Sequence, residues 1–159
     1  MKKIVVIEAL KLALEGKLYE AKAAADSARQ DAIHEQSAAE TQYDSLSIES
    51  GYLAEGQSER VEQAISSINA FKEVYSLNIT EHVVEGALVR VSDEETAASS
   101  WYFIGPTEGG LKIEFGSNHV MILTLASPLG QAITGKSSGD EVEFNFNGRI
   151  QYLCIENIL

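Results

Sequence analysis

The sequence predicts an α+β fold: an N-terminal long antiparallel coiled-coil helical hairpin, followed by a small antiparallel sheet domain with one short helix. Two stripes of apolar and small residues repeat at alternating spacings of three and four, the heptad pattern of helices that pack side by side. From residue 87 onward, the pattern changes to short alternating apolar segments separated by turn residues, which is typical of strands.

The first stripe predicts a helix from about Ile4 to Gln42. This segment contains no proline and one glycine, Gly16, and is rich in good helix formers. At about 1.5 Å per residue, the helix would be roughly 60 Å long. The stripe consists of Leu14, Leu18, Ala21, Ala25, Ala28, Ala32, Glu35 and Ala39. Because its middle is alanine, the two helices can approach closely while burying little apolar area.

The second stripe predicts a helix from about Ser50 to Tyr75, after a turn over residues 43–51 that is rich in serine and contains one glycine. It consists of Ala54, Gln57, Val61, Ala64, Ile68, Phe71 and Tyr75. If the chain folds back between the stripes, the register that pairs Leu18 with Tyr75 and Ala39 with Ala54 also pairs Asp44 with Glu49. The hairpin is therefore expected to hold these two carboxylates together at its tip.

The predicted domains are a hairpin over residues 1–76, a linker over 77–86 and a globular domain over 87–159. In the globular domain, strands are expected at 88–91, 101–104, 111–115, 120–123, 142–146 and 150–155. One helix interrupts them, because Ser127 suits an N-cap, Pro128 the first helical position and Gly135 the C-terminal stop. The aromatic residues of the strands have core-like spacing, so core packing is expected; they are Trp101, Tyr102, Phe103, Phe115, Phe144, Phe146 and Tyr152.

Composition excludes several classes of function. A net charge of -12 argues against coating duplex nucleic acid by neutralising its phosphates. The single cysteine, Cys154, leaves no intramolecular disulfide and is expected to be a buried structural thiol. The N-terminus lacks the pattern of a signal peptide, and no apolar run reaches the length of about 18 residues that a membrane span requires. The expected location is the cytoplasm, with no membrane partner.

No pattern in the sequence indicates an enzyme. The three histidines lie far apart without metal-ligand spacing, and the glycine-containing segment 105–110 lacks the lysine and following helix of a phosphate-binding loop. No nucleophile with an adjacent base is evident. The chain is therefore not expected to be a self-contained enzyme, and no cofactor or metal of its own is expected.

The segment 127–142 resembles the C-terminal signature of the bacterial Gre transcript-cleavage factors. It begins Ser127-Pro128-Leu129-Gly130 and continues through a short apolar helix, Gly135-Lys136 and Gly139-Asp140 to a strand. The order of a helical hairpin and a globular domain is also similar to that family. The resemblance implies that the globular domain has an FKBP-like fold.

The resemblance also implies a function. In the Gre family, the hairpin enters the secondary channel of RNA polymerase, and acidic tip residues help the polymerase's Mg²⁺ to cleave backtracked RNA. By resemblance, Asp44 and Glu49 would assist this metal, and Tyr52 would match the tyrosine that follows the tip motif. The residues of this chain that are expected to dock on the polymerase are Tyr52, Ser127, Pro128, Leu129 and Gly130. RNA 3′ ends and DNA would be met only within the polymerase complex.

The tip departs from the family pattern, which leaves alternatives open. Asp44 and Glu49 are five residues apart where the family has three, and the usual basic residue is absent. Counting back from Tyr52 instead places Ser45 and Ile48 where the acids belong, which would leave a channel-binding regulator without cleavage activity. The Asp44–Glu49 opposition in the hairpin favours the first alignment. A further alternative is a coiled-coil adaptor unrelated to transcription.

Overall fold

The computed structural model describes the backbone of residues 1–38 and 45–159, and the side chains of residues 1–34 and 55–159. Two long helices come first, α1 (Lys3–Ala38) and α2 (Ser45–Val74). The strands and the short helix that follow are β1 (Leu88–Asp93), β2 (Ser99–Ile104), β3 (Lys112–Phe115), β4 (Asn118–Leu123), α3 (Pro128–Ile133), β5 (Glu141–Phe146) and β6 (Arg149–Ile158). These elements confirm the predicted α+β class, all six strands and the short helix.

The second helix begins earlier than its sequence predicts. It starts at Ser45, so residues 45–51, which were expected to form a turn, are helical. Serine and glycine are only weakly unfavourable inside a helix, by up to about 1 kcal/mol for glycine, and no proline blocks the extension. The cooperative growth of a long helix outweighs these local costs.

Burial along the two helices follows the predicted stripes. On α1, Leu14, Ala25, Ala28 and Ala32 are buried, Leu18 and Ala21 are half-buried, and most side chains between them are exposed. On α2 and just beyond it, the sheltered stripe residues are Gln57, Val61, Ala64, Ile68, Phe71 and Tyr75. The stripes are therefore the inward faces of the helices. Glu35, Ala39 and Ala54 lie outside the residues whose side chains are described.

The chain divides into two compact units. One consists of Leu12–Asn69, and the other combines Met1–Lys11 with Ala70–Leu159. The first turns of α1 and the last turn of α2 thus belong to the same unit as the sheet. The division into 1–76, 77–86 and 87–159 stays a prediction, although Val83, in the segment expected to be a linker, is fully buried in the core of the sheet unit.

The sheet has the strand order β3-β4-β2-β1-β6-β5. Four of its five neighbouring pairs are antiparallel, but β2 and β4 run parallel, with Phe103 opposite Ile122. The parallel pair arises because β3 folds back onto the outer edge of β4, so the chain crosses over before β4 joins β2. The sheet is therefore mostly antiparallel, as the sequence predicts, with one parallel pair.

Apolar residues of the sheet unit pack in a core that includes Val89, Val91, Ile104, Ile133 and Ile155. The aromatic residues divide between core and surface: Phe103 is fully buried, whereas Phe146 and Tyr152 are 50% and 55% exposed, so the expectation of core packing is wrong for these two. Cys154 is half-buried. In the part of the chain that the structure describes, no helix is long and apolar enough to cross a membrane.

Candidate partner-binding sites

The acidic tip predicted from the sequence lies mostly outside the residues that the structure describes. Asp44 lies outside the described residues. Glu49 and Tyr52 lie within α2, but their side chains also fall outside the described set. The roles of these three residues therefore stay predictions.

The described contacts between α1 and α2 give a register different from the predicted one. The guanidinium of Arg29 donates a hydrogen bond to the hydroxyl of Ser58 across 3.4 Å, whereas the predicted register places Ala64 opposite Arg29. Around this contact, a cleft of about 340 Å³ is lined by Lys22, Ala25, Asp26 and Arg29 of α1 and by Ser58, Val61 and Glu62 of α2. The Arg29–Ser58 contact is shifted by about six residues from the predicted register, and α2 begins at Ser45 instead of about Ser50.

The Ser127–Gly130 motif forms the start of α3, as the sequence predicts. The hydroxyl of Ser127 accepts a hydrogen bond from the Gly130 amide at 3.1 Å and donates one to the Thr124 carbonyl at 2.7 Å. Pro128 follows at the first helical position, where its missing N–H costs nothing. Gly135 ends the helix with a positive φ of 73°, a conformation that glycine adopts without strain. The motif is therefore a rigid corner, with Pro128 exposed.

Gly130 is required by the close packing at this corner. A β-carbon at this position would overlap the Thr124 carbonyl oxygen and would lie 2.9 Å from the Ser127 hydroxyl oxygen. The carbonyl of Gly130 accepts a hydrogen bond from the Thr134 hydroxyl at 2.6 Å. Of the four residues of this motif that were predicted to dock on a partner, Ser127 and Gly130 thus have direct structural roles. Pro128 offers exposed surface, and Leu129 lies half-buried against the core.

A cavity of about 190 Å³ opens beside Leu129 on the face of the sheet that α3 covers. Buried Val91 and Leu153 contribute to its lining together with half-buried Tyr102 and Phe144. The polar part of the lining comes from Asp93, Thr96, Ser100 and Gln151, with Ala98 beside them. The cavity was not predicted from the sequence, because Tyr102 and Phe144 were expected to pack in the core. Their alternation with buried residues on the same strands does not distinguish a core position from a cavity wall.

The carboxylate of Asp93 is fixed in a tight turn beside this cavity. Its Oδ1 accepts hydrogen bonds from the backbone amides of Glu95 and Thr96, both at 2.9 Å. The hydrogen bond from Thr96, opposed in part by desolvation and helped by the hydrogen bond from Glu95 and the charge of Arg149, lowers the pKa of Asp93 below its ordinary value. The carboxylate is therefore negatively charged at neutral pH.

One serine–histidine pair was not evident in the sequence. The Oγ of Ser137 lies 2.9 Å from Nδ1 of His82, and the two residues also form an isolated β-bridge. A catalytic pair needs a third group that orients the histidine. The carboxylate of Asp140 instead accepts the backbone N–H of Ser137 at 2.8 Å. The pair thus serves to fasten residue 82 to the turn after α3.

Two other groups have shifted pKa values. Burial lowers the pKa of Lys3, whose ammonium donates a hydrogen bond to the Asn78 carbonyl at 3.0 Å. Burial, together with the charges of Glu94, Glu141, Glu156 and Asp140, raises the pKa of the Cys154 thiol, which therefore stays protonated at neutral pH. Among the described residues, no group of three or more histidine, cysteine, aspartate or glutamate side chains is placed to hold a metal ion.

Comparison with known proteins gives one sequence relative of informative similarity. Transcription elongation factor GreA of Maridesulfovibrio salexigens is 38% identical over 74 residues, which cover 45% of this chain and 42% of that protein. The resemblance to the Gre family is confirmed. The match spans less than half the length of this relative, so the activity and partners of a whole Gre factor are not carried over by it. No protein-family model matches the chain.

Three solved structures are weakly similar to the Gre-like chain. Gfh1, the GreA factor homolog 1 of Thermus thermophilus, is 15% identical, with 94% of each chain covered and a TM-score of 0.40. Gfh1 of Thermus aquaticus is 16% identical, with coverage of 95% and 94% and a TM-score of 0.39. The GreA/GreB factor of Nitrosomonas europaea is 18% identical, with coverage of 81% and 92% and a TM-score of 0.37.

Proposed function

We propose that the chain is a transcription elongation factor that binds RNA polymerase, inserts its two long helices into the secondary channel and stimulates Mg²⁺-dependent cleavage of backtracked RNA. The observation that supports this most is the 38% identity to GreA over 74 residues. Helices of 36 and 30 residues ahead of a sheet unit are consistent with it. In this role the chain is a cytoplasmic accessory factor, and both the catalytic site and the Mg²⁺ belong to the polymerase.

The tip supplies the proposed chemistry. Asp44 and Glu49 would add carboxylate oxygens to a Mg²⁺ ion that the polymerase already holds. Mg²⁺ usually takes one or two carboxylates from a protein and keeps water in its other positions, so two acids at a tip suffice only beside another set of ligands. A metal shared in this way can orient a water molecule for attack on a phosphodiester. Tyr52 would contact the polymerase near this point.

The hairpin register favours a second candidate, a channel-binding regulator that does not stimulate cleavage. The pairing of Asp44 with Glu49 was the reason for preferring an acidic tip, and the Arg29–Ser58 contact does not support that pairing. The other alignment places Ser45 and Ile48 at the acidic positions, and neither side chain can ligate Mg²⁺ as a carboxylate does. A protein with such a tip would occupy the channel and compete with a cleavage factor.

The corner at the start of α3 is the proposed docking point of the sheet unit. Ser127 and Gly130 fix the backbone, and exposed Pro128 is presented on it with Leu129 beside it. A pre-formed corner loses little conformational entropy on binding, which favours affinity. The docking partner would be the rim of the secondary channel.

Cleavage of 5′-labelled RNA in backtracked polymerase complexes with Mg²⁺ tests both candidates. If the first is right, the purified chain shortens the RNA, Asp44→Asn abolishes the shortening while still binding polymerase, and Asp31→Asn, a control at an exposed acid of α1, stays active. If wild type binds and competes with an authentic cleavage factor without shortening RNA, the second is right. If the chain retains no polymerase in a pull-down, both candidates are wrong. The adaptor alternative would then hold.

A further inference from the structure

The cavity beside α3 has an unusual combination of size and lining. Its volume of about 190 Å³ lies below the range of roughly 300–1,000 Å³ that holds small-molecule ligands and cofactors. A cavity of this size suits one long side chain. Its lining is apolar at Val91, Leu153, Leu129 and Phe144, and its polar part includes one carboxylate, that of Asp93.

We propose that this cavity binds a single basic side chain, lysine or arginine, presented by a partner protein. The aliphatic stem of that side chain packs against Leu129 and Phe144, and its charged group lies beside the Asp93 carboxylate. Lysine and arginine combine an apolar stem with a charged end, so they match a lining that is apolar on one side and carries a charge on the other. This site is separate from the proposed tip chemistry and does not depend on it.

The chemistry of Asp93 favours a cation over a neutral partner. The backbone amides of Glu95 and Thr96 both donate to its Oδ1, so the carboxylate is held in one orientation by its own turn. The same hydrogen bonds lower its pKa, and the group is therefore charged at neutral pH. An orientated, charged carboxylate beside apolar walls is complementary to an ammonium or guanidinium group. An aromatic wall adds attraction for a cation placed over the ring, and both Tyr102 and Phe144 line the cavity.

The overall charge favours a foreign partner over a second copy. The chain carries -12 at neutral pH, with 24 acidic and 12 basic residues. Two copies therefore repel each other at long range, whereas a basic surface is attracted and its association is accelerated. The expected partner is a protein that presents an exposed lysine or arginine on a basic surface.

One nearby cation opposes this binding. The charge of Arg149 contributes to the lowered pKa of Asp93, so it lies close enough to compete with an incoming basic side chain. Arg149 is exposed and is not part of the cavity lining. Its removal is therefore expected to strengthen binding, the opposite of what removal of Asp93 should do. Removal of Asp93 should lower the affinity for a basic side chain and removal of Arg149 should raise it, so each variant serves as a control for the other.

The test is a nuclear magnetic resonance titration of the full ¹⁵N-labelled chain with three probes: N-acetyl-lysine, N-acetyl-arginine and N-acetyl-norleucine methylamides. The basic probes should give saturable shifts at the amides of Thr96, Leu129 and Phe144, and these should weaken as salt screens the charge. Norleucine has the size of the lysine stem without its charge and should bind more weakly. Asp93→Asn keeps the Oδ1 acceptor of the turn and should weaken lysine binding about two- to five-fold, as expected for an exposed ion pair.

Arg149→Ala should strengthen lysine binding, which keeps the proposal testable if Asp93→Asn disturbs the turn. The proposal is overturned if norleucine binds as tightly as lysine, or if neither variant changes lysine binding in the stated direction. Shifts confined to residues away from the cavity would overturn it as well. A polymerase pull-down with the same variants is a separate measurement, since loss of polymerase binding bears on the proposed function and not on the probes.

Discussion

The ring of Phe71, near the end of α2, lies directly against the backbone of Gly105, just after β2. A β-carbon on Gly105 would lie 2.7 Å from Cζ of Phe71 and 2.9 Å from Cγ2 of Ile122. Phe71 is fully buried, and its ring centroid is 6.3 Å from that of Phe103. Absence of a side chain at residue 105 therefore allows the end of α2 to pack on the sheet.

Gly105→Ala is expected to destabilise the sheet unit by about 1–3 kcal/mol, because the new methyl group must displace a ring and a methyl that are both close-packed. The measurement is the free energy of unfolding from urea denaturation monitored by Trp101 fluorescence. A second variant, Gly105→Ala with Phe71→Leu, should recover part of the loss by making room. An unchanged midpoint for Gly105→Ala would contradict the observed packing.

Gly16→Ala should have the opposite effect. Gly16 lies inside α1, and a β-carbon there would meet no atom within 4 Å, so the substitution gains helix propensity without a clash. The expected stabilisation is about 0.5–1 kcal/mol. Thermal unfolding followed by helical circular dichroism measures it. Gly56→Ala should stabilise the chain in the same way, because Gly56 lies in equally open surroundings on α2.

Ser127→Ala should loosen the start of α3. The substitution removes the acceptor of the Gly130 amide and the donor to the Thr124 carbonyl, at a cost of about 1 kcal/mol for the lost cap. Amide hydrogen exchange at Gly130 and Gln131 should accelerate, while exchange in β1 and β6 stays unchanged. Ser127→Asp should restore most of the protection, since aspartate also caps helices. Equal protection in the alanine variant would show that the cap does not hold the corner.

The register of the helices can be measured by crosslinking. In a Cys154→Ser background, cysteines at positions 25 and 61 should join through a short thiol crosslinker, because Ala25 and Val61 line the same cleft. Cysteines at 25 and 68, which the predicted register pairs, should not join within the monomer. The reverse result would restore the pairing of Asp44 with Glu49 and with it the stronger case for an acidic tip.

Asp93 should make the free energy of unfolding depend on pH. Its pKa is lower in the folded chain than its ordinary value of 3.8, so the unfolded state binds more protons and stability rises with pH. This contribution is present above pH 3.8 and is lost as the pH falls through the folded pKa. Asp93→Asn should remove it, so the stability difference between wild type and variant should shrink between pH 5 and pH 2. Carbon-13 titration of the carboxyl provides the direct check.

Much of the fold could be predicted from local pattern. The strands follow alternation, and α3 follows a sequence in which cap, proline and glycine each stand at the position that their chemistry favours. The stripes on α1 and α2 were predicted because burial repeats with the helical period. The start of α2 could not be predicted in this way, since serine and glycine allow a helix as well as a turn, and the choice depends on neighbours along the whole helix.

The candidate sites were less predictable. The corner at Ser127 was found from sequence because its geometry depends on residues that are adjacent in the chain. The cavity was not, because Asp93, Leu129 and Phe144 come from three distant segments that only the sheet brings together. Strand order and the one parallel pair, β2 with β4, could not be predicted for the same reason, because strand order is not encoded in any single strand.

The union of Met1–Lys11 with Ala70–Leu159 in one unit has a consequence for synthesis on the ribosome. Residues 1–11 leave the ribosome well before the residues that they contact: Lys3 donates to the Asn78 carbonyl, and the Lys11 ammonium lies 5.1 Å from the centroid of the Tyr75 ring. Leu88 and Leu159 exchange backbone hydrogen bonds, so the sheet closes only when the last residue is available. The apolar side chains of Val6 and Leu10, which are buried in the folded unit, therefore stay exposed during synthesis until residues 70–159 have been made.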